Sequence, residues 1–124
     1  MYEEMGEIIT LNGIIKELGS EGYFEVPIDK EESVFALKEA IYVKVKDSLP
    51  NNITGGISIK LWKVNVLRND PKFDQLRYTN TTVENVLGGS EISSLFLVKD
   101  VFNDINSSEI HIVMQGRRLV YVQN

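Results

Sequence analysis

The spacing of hydrophobic and polar residues changes along this chain, and each change marks out a different element. Residues 8–16 carry Ile8, Ile9, Leu11, Ile14 and Ile15 among polar positions. Residues 23–28 put Phe24, Val26 and Ile28 on one face and Tyr23, Glu25 and Pro27 on the other, the two-residue period of a strand. Between them lies Gly19-Ser20-Glu21-Gly22, a glycine-bracketed turn suited to a β-hairpin. Pro27 has no N–H to give to a ladder, so the second strand is expected at an edge of its sheet.

The period then lengthens. Val34, Leu37, Ala40, Ile41 and Val45 recur at three- and four-residue intervals, which predicts an amphipathic helix over 33–47 with its apolar stripe packed across the hairpin. Acidic residues between 29 and 32 precede it and Lys44 and Lys46 stand near its end, as the helix dipole prefers. Alternation returns over 57–66, where Ile57, Ile59 and Leu61 face the helix and Ser58, Lys60 and Trp62 face away. Residues 68–82, around Asn69-Asp70-Pro71, read as a long polar connection with one helical turn. Residues 83–96 hold the Gly88-Gly89 break and a short apolar segment, and 101–108 are turn-rich. A last strand over 109–115 points Ile110, Ile112 and Met114 inward, which sets His111 outward.

Hairpin, helix, strand, irregular connection and strand, in that order, predict an α+β fold. It is a ubiquitin-like β-grasp, a mixed sheet of about five strands with one main helix on one face, the first and last strands side by side at its centre. Residues 1–116 form one domain on this reading. Residues 117–124, with Arg117-Arg118 and an alternation over 119–122, form a tail that is either a further strand or the start of a linker. A length of 124 residues with 43% hydrophobic and 25% charged suits a single core.

Charge and chemistry remove several functions. A net charge of -5 argues against direct nucleic-acid binding, which needs a local excess of Lys and Arg. The absence of cysteine excludes disulfides, thiolate zinc sites and cysteine nucleophiles. No apolar run reaches the ~18 to 20 residues of a membrane span. The acidic start, Met1 to Glu7, lacks the positive region of a conventional cleaved leader. His111 is the only histidine, and no serine stands in a Gly-x-Ser-x-Gly setting. Gly55-Gly56 and Gly88-Gly89 read as turns needing positive φ, since a conjugating diglycine stands at a free C-terminus and a phosphate loop continues into Gly-Lys-Ser/Thr. Asn52, Asn80 and Asn106 each open an N-glycosylation triplet, a pattern that also arises by chance. No catalytic residue, cofactor or metal is therefore expected.

Protein contact is the remaining chemistry. Trp62, with Lys60 on its face and Lys63 and Val64 beside it, has the composition of a binding hot spot. The competing reading is that residues 68–82 fold over Trp62 and make it core, since tryptophan is usually well buried.

Five segments recur together in a known family. Phe24-x-Val26-x-Ile28-Asp29, Ser33-Val34-x-x-Leu37-Lys38-x-x-Ile41, Leu61-Trp62-Lys63-Val64, Ile92-Ser93-x-x-Phe96 and Ile110-His111-Ile112-Val113 resemble, in order and spacing, the N-terminal domain of Crinkler effector proteins. The likeness runs from about residue 8 to 115, and the Leu-Trp-Lys-Val element is similar to the fungal branch. Leu95-Phe96-Leu97-Val98-Lys99 looks like the Leu-Phe-Leu-Ala-Lys signature of oomycete members, but the family sets that signature on the strand after the first helix, here 59–64.

The resemblance implies a non-enzymatic, ubiquitin-like header domain of a secreted effector. Such a domain would work through protein contacts in export, host-cell entry or delivery to the host nucleus, and any catalysis would belong to a C-terminal effector region. The rival expectation is a structural module that forms a homodimer through the edge strand at 23–28 or the tail.

Overall fold

The computed structural model describes residues 7–48, 59–78 and 81–116. Gly55-Gly56, Ile57, Ser58, the Asn52 and Asn80 triplets in whole or part, the acidic start through residue 6 and the tail at 117–124 lie outside the described residues.

Strand β1 (Ile8–Ile15) passes through a 3-10 turn (Lys16–Gly22) into β2 (Tyr23–Asp29). Helix α1 (Val34–Val45) follows and ends in one further 3-10 turn, Lys46–Ser48. After β3 (Ile59–Leu67) come a 3-10 segment (Pro71–Arg77), α2 (Val83–Leu87), β4 (Ser90–Glu91), α3 (Val98–Val101) and β5 (Glu109–Gly116). The sheet order is β2-β1-β5-β3-β4, with β1 and β5 parallel and the other neighbours antiparallel. This is the expected β-grasp: the first and last strands pair at the centre, and β2 lies at the edge with Pro27 opposite Thr10.

Helix α1 starts where Ser33 Oγ accepts the Ala36 N–H at 3.1 Å, satisfying one of the amides that a first turn leaves unpaired. Its buried stripe is Val34, Leu37, Ile41 and Val45, with Ala40 at the margin. The stripe packs on Leu11, Ile15, Phe24, Val26, Ile59, Leu61, Ile112 and Met114, the helix-facing residues of the sheet. At Gly13 the bare backbone makes room for the Phe24 ring, which a Cβ would strike.

The opposite face is covered as well, as the reading that folds 68–82 over Trp62 requires. It is a second core, in which Phe73, Leu76 and Val83 cover Ile14, Trp62, Val64, Ile110 and Val113. The connection after β3 thus carries its own apolar anchors within a polar stretch, and its single expected turn is the 3-10 segment Pro71–Arg77, capped by Asp70. Helix α2 ends at Gly88, whose φ of 73° needs glycine. Gly89 has ordinary φ and is kept small by Val64 Cγ1, 2.7 Å from where a Cβ would sit.

Two expectations for the last strand are corrected. His111 does not face solvent; it is 1% exposed. Ile110 packs in the second core, whereas Ile112 and Met114 pack beneath the helix. The His111 ring is taken up by the Asn12 N–H and Asn106 O rather than by water, and over the same stretch β5 shifts register against β3, Lys63 pairing with Ile112 but Val66 with Ile110.

Candidate interaction site

The four residues proposed from sequence as protein contacts do not form one surface. Trp62 does lie on the face away from α1, but it is 5% exposed, and Val64 is buried beside it in the second core. The Trp62 indole N–H donates to Glu84 Oε2 at 2.7 Å, so its polar end is satisfied from α2. Lys60 and Lys63 keep partial exposure but fall on opposite faces of β3 by the strand period. The connection folded over Trp62 is therefore what the structure contains.

His111 is a structural residue in this arrangement. The main-chain ladder between β1 and β5 spans Gly13 to Ile15 and Ile112 to Met114. One residue earlier, the Asn12 backbone N–H donates to His111 Nδ1 (3.0 Å), so the ring proton sits on Nε2 and is given to Asn106 O (2.7 Å). Asn12 returns the support, its Nδ2 donating to Ser107 O (3.1 Å) and Glu109 O (3.0 Å). Two side chains 99 residues apart thus continue the junction where backbone pairing stops. The Tyr23 hydroxyl is within hydrogen-bond distance of Asn12 Oδ1 and Glu25 Oε2. Burial, then the Glu25 contact, pushes that phenol up, while the Arg68 guanidinium, 4.3 Å above the ring, acts in the other direction. Both imidazole nitrogens are engaged by groups of the fold.

Among the described residues, three side-chain pairs hold the second layer to the sheet and its hairpin turn. Buried Lys16 donates through Nζ to Leu76 O at 3.0 Å. Asp74 Oδ1 accepts from the Ser20 hydroxyl (2.6 Å) and amide (3.3 Å), which holds that carboxyl below its ordinary range. Trp62 and Glu84 make the third.

Surfaces that are open lie elsewhere. A groove of about 280 Å³ is bordered by Glu7, Ile9, Lys30, Lys99, Phe102 and Ile105. Its two lysines already pair with Glu7 and Glu31 at 2.9 and 2.8 Å, and these carboxylates push both ammonium groups up. At the start of α1, by contrast, Phe35, Leu95 and Phe96 are 47%, 90% and 54% exposed. The turn carrying the latter two is bonded to the first helical turn: the Val34 N–H donates to Phe96 O (2.8 Å) and the Phe35 N–H to Ser94 O (3.1 Å). Lys38, one turn along α1 from Phe35, donates to Ser94 Oγ at 2.8 Å, and desolvation pulls its ammonium down. The signal for this group was present in the sequence as Phe35, one place off the helical stripe, and as Leu95-Phe96 in the short apolar segment after Gly88-Gly89.

Residues 9–115 match the family model described as the Crinkler effector protein N-terminal domain. No curated protein matches the chain.

Proposed function

From the premise that this chain belongs to the Crinkler effector N-terminal domain family, we propose that it acts as a non-enzymatic header domain, serving protein contacts in export, host-cell entry or nuclear delivery of a secreted effector. The observation that carries this reading is the family match across nearly the whole β-grasp, from within β1 to within β5. The commitment of His111 to Asn12 and Asn106 agrees with a scaffold whose work is done on its surface. A reporter fused behind the full chain tests it. Accumulation of the reporter in host cells or their nuclei, at levels above reporter alone, is the expected result; equal distribution of the two would remove the delivery role.

A second reading, self-association, is favoured by one observation: β2 stands at the sheet edge with a partner strand on one side. Pro27 limits how far a second copy could extend the ladder there. Sedimentation over a range of concentrations separates the two, because a monomer throughout would exclude the dimer.

A further inference from the structure

Leu95, at 90%, is the most exposed large apolar residue in the described structure, yet its segment is not slack. Besides the two backbone bonds to α1, Leu95 donates its own N–H to Ser93 Oγ (3.2 Å), and Leu97 bridges to Ser33. Phe35 and Phe96 flank it on the residues whose backbones make or border those bonds. A rigid turn therefore presents three large apolar side chains to water, an arrangement that costs solubility and has no role in the core.

The polar border sets the chemistry of an occupant. The Val34 and Phe35 amides at the start of α1 are already used by Phe96 O and Ser94 O, so this helix end has no such donors left for an anion. Among the described residues, the cation bonded to this turn is Lys38. Its ammonium is partly desolvated and bonded to a neutral hydroxyl, with Glu91 attracting and Lys60 repelling it through space. This differs from Lys30 and Lys99, which are held by carboxylates at 2.9 and 2.8 Å. Glu39 follows Lys38 on the helix, and an interaction of its own engages it. A dehydrated ammonium beside an apolar surface gains most from an incoming carboxylate.

We propose that Phe35, Leu95 and Phe96, bordered by Lys38, form a docking surface for a short peptide segment of a partner protein that carries apolar side chains and a carboxylate. The inference rests on the function proposed above, in which the domain works by protein contact. The three side chains expose on the order of 300 Å², below the about 800 Å² per partner of a stable globular interface. That size fits a segment better than a second folded copy. An anionic membrane is disfavoured by the net charge of -5.

The test uses the full 124-residue chain and three labelled dodecapeptides that share a Leu-Leu-Phe core and differ in their flanks, Asp, Gln or Lys. Fluorescence anisotropy should rank them Asp over Gln over Lys, with amide shift changes confined to residues 33–38 and 93–97. Leu95→Ser, which alters a solvated side chain and should leave the melting temperature unchanged, weakens all three about tenfold or more. Lys38→Gln weakens the Asp-flanked peptide about three- to fivefold and leaves the Gln-flanked one as before. Equal affinity for the three flanks, no effect of Leu95→Ser, or no binding at all would each overturn the proposal. In the last case, a dimer in sedimentation that Leu95→Ser dissociates would identify a second copy as the occupant instead. Peptide binding that survives alongside a failed reporter assay would remove the delivery role and leave the docking surface standing.

Discussion

On one face of the sheet a single capped helix of twelve residues delivers Val34, Leu37, Ile41 and Val45 to the core; on the other, a 3-10 segment and a five-residue helix deliver Phe73, Leu76 and Val83. Helix α1 satisfies most of its backbone internally, so its position is set by the fit of an apolar stripe. The short elements opposite cannot do this. They are fixed by side chains reaching out from the sheet and its hairpin turn: Lys16 to Leu76 O, Ser20 to Asp74, and Trp62 to Glu84. A layer without a long regular element is thus placed by a few directed polar bonds around an aromatic anchor.

The strongest way to break this contrast is to remove the anchor. Phe73→Ala should cost about 3 to 5 kcal/mol, and the fluorescence of Trp62, the only tryptophan, should report water entry at lower urea than the loss of far-UV circular dichroism. Leu37→Ala beneath α1 should cost about 2 to 5 kcal/mol with both signals moving together. If Phe73→Ala also moves them together, the two faces unfold as one unit.

Smaller changes sharpen it. Lys16→Met leaves Leu76 O without its buried donor and should cost about 1 to 3 kcal/mol in urea titrations; an unchanged midpoint would show that the ammonium does not fix the segment. Glu84→Gln keeps an acceptor for Trp62 but removes its charge, so about 1 kcal/mol is expected, with a shifted Trp62 emission maximum. The least effect belongs to Asp74. Its carboxyl is held down in the folded state, so its contribution is complete above the ordinary value of 3.8 and is lost as pH falls through the lowered one. Thermal melts from about pH 5 to 2 should therefore show a shallower acid limb in Ser20→Ala than in the wild type.

What could be read from the sequence follows from how local each signal is. The hairpin, the stripe of α1, the edge position of β2 and the face taken by Trp62 all follow from periods of two or 3.6 residues, or from one proline. Phe73, Leu76 and Val83 were not legible as a layer, because they are spread through a polar stretch too short to show a period. Reading Trp62 as an exposed contact depended on what covers it, which no local pattern states. His111 escaped for a different reason: its ring is held by the Asn12 N–H from a strand 99 residues away, a partner that no local pattern states. Of the surface at the start of α1, Phe35 was visible as a misfit on its helix, but its proximity to Leu95 and Phe96 follows only from the bonds between the two turns.

The pairing of β1 with β5 at the centre of the sheet has a consequence for the order of events during synthesis. The strand made first can form its hairpin as soon as β2 emerges, but its other neighbour is nearly the last part of the domain to be translated. Until then both β1 and β3 have an open inner edge, and Asn12 has no His111 to receive its amide. Loops that must close over about a hundred residues form slowly. The nascent domain therefore stays an incomplete sheet until residues 109–116 have cleared the ribosome, and no N-terminal fragment ending before them can close it.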